Sequence, residues 1–513
     1  MDGAKLSKKH NTPPIASGWT RRSALKLGAG LLATTSLSIA PILTRHANAS
    51  VSNIINVKLD VRSVDGRPAY NGVSPGPTIR VNPGETIDVD FTNSLPPLHD
   101  DCTDNPNNFH GINTTNLHTH GLHVSPTTDS SGEFDADNVF VSVVPEGQLV
   151  SCSDVCGESV KSTFRWKETK YRFELGDEHP SGTYWYHAHK HGSTAQQVGA
   201  GLSGPLIVED KPGTMPEYIE AANEKIIMLM NQGVVVAEPD GGGAVDPVIK
   251  MRPGEVQRWR IINALGNATE YGFVRASQPD LEIYQIAYDG FTLERRIAID
   301  LENLEEPWLN PASLASGNRM DLIVRAPLEP SSKPFAQTIR NALSDITNGA
   351  EFANIFDLNV EVSGEPVDAA WSELEELPGS RLKPFSKAKL DRREINFSGR
   401  NLIDGEVYDG DLKQSMKLDS EEEWHITNAA AQLHVFHIHV NPFYITHING
   451  EELDEINPLR RWQDTIGVPV RSGNGAGSIT YKTRFETFKG RFVIHCHVLR
   501  HEDMGMMQIV EVV

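Results

Sequence analysis

The sequence predicts an all-β protein of three consecutive β-sandwich domains, and three observations carry that prediction. Short runs alternate apolar and polar residues at period two, as in Ile87-Asp88-Val89-Asp90-Phe91, Tyr171-Arg172-Phe173-Glu174-Leu175 and Trp259-Arg260-Ile261-Ile262; strands with one buried face read this way. The 42 Gly and 31 Pro punctuate the whole chain, and few segments sustain a 3.6-residue period, which favours sandwiches over alternating α/β units. A Pro-Gly turn or an acidic stretch precedes a strand ending in Asn three times: Asn82-Pro83-Gly84-Glu85 to Asn93, Arg252-Pro253-Gly254-Glu255 to Asn263, and Ser420-Glu421-Glu422-Glu423 to Asn428. Three copies of one unit suit 513 residues, at about 100–200 residues per domain.

Residues 1–49 read as an export signal. Thr20-Arg21-Arg22-Ser23-Ala24-Leu25-Lys26 resembles the twin-arginine consensus, with Ala24 where Phe is usual, and a weakly apolar stretch runs from Leu27 to Leu43. That stretch is too short and too polar for a span of ~20 residues, and Ala47-Asn48-Ala49 supplies small residues for cleavage. The expectation is an exported protein, periplasmic or extracellular, moved in folded form by the twin-arginine machinery. The first domain is expected over 50–212, ending at the turn Asp210-Lys211-Pro212-Gly213. The second covers 213–385 and includes part of a Pro-, Glu- and Lys-rich linker within 364–390; the third covers 386–513. Segments 100–114 and 151–161 read as polar, Cys-bearing loops inserted in the first domain.

Composition excludes several partners. The chain has 47 Lys and Arg against 68 Asp and Glu, a net charge of −21. The export segment holds seven basic residues and one acidic one, so the remainder carries 40 against 67, a net of −27. Neither duplex nucleic acid nor an anionic membrane suits such a surface, because both require clustered cations. Four cysteines are too few for a disulfide-dense scaffold. Cys102, Cys152 and Cys156 allow one disulfide, joining Cys102 to either of the others.

The 19 histidines are not scattered. Ten fall in four clusters: Asn116-Leu117-His118-Thr119-His120-Gly121, Tyr184-Trp185-Tyr186-His187-Ala188-His189, His434-Val435-Phe436-His437-Ile438-His439, and His495-Cys496-His497 with His501 following. Each contains His-x-His, and on a strand residues i and i+2 share a face, so each pair aims two imidazoles at one place. Imidazole is the commonest metal ligand. His495 and His497 share one face and Cys496 takes the other, so this tripeptide can touch two metal centres and join them covalently. Cys496, His501 and His434 form the His2Cys set of a blue copper site, completed by a weak thioether. The four pairs His118/His120, His187/His189, His437/His439 and His495/His497 can hold three more copper ions and leave positions for dioxygen.

These motifs, in this order, resemble those of the three-domain multicopper oxidases of the laccase-like group. The resemblance extends over the mature chain, from Tyr70-Asn71-Gly72-Val73-Ser74-Pro75-Gly76-Pro77 through Trp462-Gln463-Asp464-Thr465-Ile466 to Met504, Met506 and Met507. It implies three cupredoxin-like Greek-key domains and four copper ions. It implies type 1 ligands His434, Cys496 and His501 with Met506 axial, and Met504 shares the strand parity of Met506. It implies type 2 ligands His118 and His437, and type 3 ligands His120, His187, His189, His439, His495 and His497. Asp129, eleven residues after His118, and Glu502, directly after His501, match family positions for proton delivery to dioxygen. The alternative reading is a loop charge for either one, or for Glu502 a hydrogen-bond acceptor for a ligand histidine.

The expected function is one-electron oxidation of a small donor coupled to reduction of dioxygen to water, by a monomer. A phenol or aromatic amine is favoured over cuprous ion, because no Met-rich insertion exists outside 504–507. Copper storage and a structural cupredoxin role are the non-enzymatic alternatives; the histidines flanking Cys496 form an electron path, which neither needs. His123 and His191 are expected outside the ligand set, His99, His110 and His179 in solvated loops, and His425 and His447 as packing residues of strands. Tyr184-Trp185-Tyr186 is expected to be core.

Overall fold

The computed structural model describes residues 54–513 apart from 99–104, 149–162, 267–269, 275–280, 300–312, 331–334, 342–353, 373–375, 381, 387–389 and 471–474. The export segment, His99 and the cysteines Cys102, Cys152 and Cys156 lie outside the described residues.

Among the described residues, six of the seven sheets pair off along the chain. The first pair is a five-stranded sheet around Thr86–Asn93 and a four-stranded sheet holding His118–His120, Gly182–His187 and Ser203–Val208. One core joins them: Val61, Ile87, Val89 and Tyr171 from the first meet Ile79, Tyr184, Tyr186 and Leu206 from the second. The second pair, seven and five strands, closes on Trp259, Ile261 and Leu322 against Met251, Leu314 and Val360. The third pair, also seven and five strands, closes on Phe397, Trp424 and Tyr481 against Phe436, Ile494 and Val510. The fold is therefore all-β, with three consecutive cupredoxin-like sandwiches, and alternation along each strand supplies the facing apolar surfaces.

The recurrent sequence unit has a structural meaning. In each sandwich the strand that ends in Asn pairs in parallel with an earlier strand: Thr86–Asn93 with Ile54–Val64, Val256–Asn263 with Asn223–Met230, and Ser420–Asn428 with Asp391–Ser398. The turns before the first two use Gly84 and Gly254 at φ +84° and +75°, and before the third Asp419 takes the same region at +62°. Asn93, Asn263 and Asn428 are fully buried. Each accepts at its side-chain oxygen from the backbone N–H two residues on, at Leu95, Leu265 and Ala430. Each donates its amide to a carbonyl across the sandwich, that of Val143, Leu314 and Val468 respectively. The Asn thus stops the strand with an Asx turn and satisfies a buried carbonyl.

Candidate metal centre

Two antiparallel strand pairs build the site. In the first sandwich His118 lies opposite His187, and His120 opposite Trp185. In the third, His437 lies opposite His495, and Phe436 opposite Cys496. Cross-strand neighbours in an antiparallel sheet are about 5 Å apart, so each register doubles a His-x-His pair into a patch of four rings. The two patches meet. His118 stacks on His439 and His120 on His437, with ring centroids 3.9 Å apart in both cases.

Eight buried imidazoles brought together are costly unless their nitrogens are used. A neutral imidazole carries its hydrogen on the nitrogen that faces an acceptor, and the partners here decide which one. The Nδ1 of His118 donates to both oxygens of Asp137 at 3.0 Å. The Nδ1 of His187 donates to the Ala188 carbonyl at 2.9 Å, and that of His437 to the Asp464 carbonyl at 2.9 Å. The Ser316 hydroxyl is spent on the Leu265 carbonyl, so the Nδ1 of His497 donates to Ser316 Oγ at 3.2 Å. His120 is turned the other way, its Nε2 donating to Asp464 at 3.1 Å. The remaining nitrogens, Nε2 of His118, His187, His437 and His497 and Nδ1 of His120, are buried and have no hydrogen-bond partner. They are lone pairs in want of a cation.

The clusters sort by geometry. His120, His187 and His497 have mutual centroid distances of 4.9 to 5.8 Å. The Nε2 atoms of His189 and His439 each lie 3.2 Å from Nε2 of His495, a convergence three imidazoles cannot satisfy among themselves. His118 and His437 stand between these triads, 6.0 Å apart. A separate group lies behind the strand: Cys496 Sγ is 3.6 Å from His434 Nδ1 and 3.7 Å from His501 Nδ1. His434 is turned by the Gly399 carbonyl, which takes its Nε2–H at 3.2 Å. Burial pushes the Cys496 thiol up to about 12, so the thiolate needs a bound cation to form at neutral pH. Met506 is fully buried in the same core cluster as Cys496, and its carbonyl accepts the Cys496 N–H at 3.0 Å.

Glu502 is where the sequence puts it, at the cluster. Its Oε1 lies 3.6 Å from His189 Nδ1 and its Oε2 3.7 Å from His495 Nδ1. Burial raises it well above the usual carboxylate range, and Oε2 has no hydrogen-bond partner. Asp129 is a correction. It is exposed, and its carboxylate caps its own loop by accepting from Ser131 and from the N–H of Glu133 and Phe134. The loop after His120 is longer than an eleven-residue spacing allows for, and the carboxylate that reaches the first cluster is Asp137. Burial pushes Asp137 up to about 7 against the pull of its two hydrogen bonds from Thr119.

His179 is a second correction. It is buried, and its Nε2 accepts the backbone N–H of His123. His191 stands outside the ligand set, with Nε2 against Asn107 Oδ1. The Tyr184-Trp185-Tyr186 run is fully buried as expected, with Trp185 stacked on His187 at 4.2 Å.

Sequence reading missed the contribution of the second sandwich. Arg319, fully buried, donates to both oxygens of Asp464 at 2.8 and 2.6 Å. Asp289 also faces Arg319, 3.4 Å away. Gly317, at φ +94°, passes so close that a Cβ there would lie 2.9 Å from His120 and 3.1 Å from His497. No single-strand motif announces these residues.

The chemistry of the donor set is that of copper: a thiolate with two imidazoles, and eight imidazoles with inward lone pairs. Comparison with known proteins agrees. Two family models, each described as multicopper oxidase, match residues 164–213 and 382–513.

Over those two stretches the chain resembles the multicopper oxidases.

This oxidase is 24% identical to the multicopper oxidase mco of Staphylococcus aureus over 466 residues, covering 86% of this chain and 83% of that one. It is 23% identical to a laccase of Bacillus stratosphericus over 512 residues, covering 86% and 90%. Among solved structures, the multicopper oxidase of Campylobacter jejuni, described as a metallo-oxidase, superposes with a TM-score of 0.61 at 22% identity, over 90% of this chain and 92% of that one. The protein is thus an oxidoreductase that uses copper.

Proposed function

We propose that the oxidase holds four coppers and couples one-electron oxidation of a small organic donor, a phenol or aromatic amine, to reduction of dioxygen to water. The observation that carries this reading is the strand Gly490–Cys496 and its continuation to His497: Cys496 faces the His434/His501 pair while His495 and His497 face the eight-imidazole cluster. The type 1 copper would be held by His434, Cys496 and His501 with a thioether, and the burial of Met506 beside Cys496 supports that residue over the half-buried Met504. The type 2 ligands are His118 and His437. The two type 3 sites are His120, His187 and His497, and His189, His439 and His495.

Copper bound there would supply one-electron chemistry, so that four one-electron oxidations of the donor balance one dioxygen and four protons going to two waters. The rest belongs to the chain. The peptide linkage through Cys496 is the covalent path between the centres. Glu502 Oε2 is positioned to hold and release a proton beside the His189 and His495 rings, and Thr194 Oγ1 steadies its other oxygen at 3.0 Å. Asp137 and Asp464 hold His118 and His120 in the tautomers that face inward. Export through the twin-arginine route is supported by Thr20–Lys26 and suits a protein that loads metal before leaving the cytoplasm.

A cuprous-ion donor is the second reading, favoured by the acidic net charge and the metallo-oxidase named above. The copper-loaded protein should be blue with four coppers per chain, and Cys496→Ser should be colourless and inactive with every donor. A colourless wild type, or a blue Cys496→Ser, overturns the assignment. Turnover with a phenol, an aromatic amine and cuprous ion then separates the donors.

A further inference from the structure

The donor must reach the Cys496 centre through a ligand that touches solvent. Of the ten clustered histidines, His501 alone is not fully buried. Two cations frame it. Arg500 directly precedes it on the helix Leu499–Asp503 and is exposed. Arg400 is exposed and directly follows Gly399, whose carbonyl holds His434. Both guanidinium groups lie close enough to His501 for their charges to act on its ring. On the loop that packs against Gly505 through Tyr408, Glu406 and Asp409 share Lys413, and Asp404 accepts from Gln508. An exposed aromatic completes the rim. Phe109, 41% accessible, has the Arg500 guanidinium 5.9 Å from its ring centroid.

The surroundings sharpen the contrast. The whole chain carries −21, yet at physiological salt charges further than about 8 Å are largely screened, so the local pair governs what docks. A guanidinium offers planar, bidentate recognition of a carboxylate or sulfonate and tolerates an aromatic face.

We propose that Arg400, Arg500 and Phe109 are the specificity-determining rim of the donor site, selecting an anionic aromatic donor, such as a carboxylated phenol, and disfavouring cuprous and other cations. This deepens the oxidase reading and rests on its placement of the donor-side copper at His434, Cys496 and His501. Each such phenol gives up one electron to the enzyme and its hydroxyl proton to solvent, leaving a phenoxyl radical; the electrons are consumed by dioxygen as above.

The test uses the copper-loaded holoenzyme with syringate, neutral 2,6-dimethoxyphenol, hexacyanoferrate(II) as a charge probe without a ring, and cuprous ion. Arg400→Gln/Arg500→Gln should lower kcat/KM for syringate and hexacyanoferrate(II) about tenfold or more, move 2,6-dimethoxyphenol less than about twofold, and keep the blue absorption. Arg400→Glu/Arg500→Glu should raise kcat/KM for cuprous ion. Phe109→Ala should weaken syringate and spare hexacyanoferrate(II). A syringate to 2,6-dimethoxyphenol ratio unchanged by the double substitution in a blue enzyme overturns the proposal alone. A wild type that is not blue, or a Cys496→Ser variant that still turns over, overturns the oxidase reading beneath it.

Discussion

Asp137 and Asp129 show how much a single carboxylate's place matters. Asp137 is buried, accepts the His118 Nδ1–H at both oxygens and takes the Thr119 N–H at 2.8 Å; Asp129 spends its charge on a surface turn. Asp137→Asn can keep the shape but offers one acceptor oxygen in place of two and brings a hydrogen-bond donor. We expect turnover to fall about 10–100-fold, the usual cost of losing a partner behind a metal-ligating histidine, with the blue absorption retained. Asp129→Asn should leave turnover within experimental error. Steady-state dioxygen uptake by both variants, normalised to bound copper, checks the pair.

At the scale of elements, function follows from register. A one-residue slip between His118–His120 and Gly182–His187 would turn every imidazole of one strand to the wrong face. The buried Asn at each strand end is one of the devices that holds the register. Asn428 is the most telling copy, because its amide donates to the Val468 carbonyl and Val468 lies opposite His434. Asn428→Ala strands that carbonyl, the Gln432 carbonyl and the Ala430 N–H. The expected loss is about 2 kcal/mol, read from the denaturation midpoint, together with a shifted blue absorption band. The glycine turns are equally tied to the site. Gly317→Ala would put a methyl group against His120 and His497 on a backbone at φ +94°, so the expected result is an enzyme with its blue centre intact and copper missing from the adjoining cluster, measured as copper per chain.

For the whole molecule, the second sandwich is the clamp. Arg319 spans from its own sandwich to Asp464 of the third, and Arg258 and Arg260 converge on Asp321, which also accepts from Thr183 of the first. Arg319→Met leaves Asp464 buried without its cation, and breaking such a pair costs about 3–5 kcal/mol; His120 loses its orientation with it. Thermal denaturation and copper content together check this.

The metal-free protein should also be sensitive to acid. All ten clustered histidines have folded-state values depressed by burial, to about 4 for His434, His437 and His501. Between the unfolded value near 6.5 and about 4 the unfolded chain binds the more protons, so folded stability falls as pH drops through that window. The buried carboxyls Asp137, Asp289, Glu502 and Asp503 are raised and act in the opposite sense, but they are four against ten. Urea midpoints of the apoprotein at pH 7 and pH 5 should differ in favour of pH 7, and copper loading should protect the fold at both.

The sequence by itself determined the strand alternation, the threefold unit, the four His-x-His motifs and the opposite facing of Cys496, because each is a local periodicity that the strand pleat converts directly into direction. It also placed Glu502, which rides beside a ligand on the same short helix. Only the tertiary structure decided Asp137 over Asp129, because loop length between a ligand and its partner carries no period. It alone brought Ser316, Gly317 and Arg319 from the second sandwich to the site between the other two, and Arg400 within electrostatic reach of His501. Those contacts are made between domains, where burial and charge pairing are set by packing and leave no signature in any one strand.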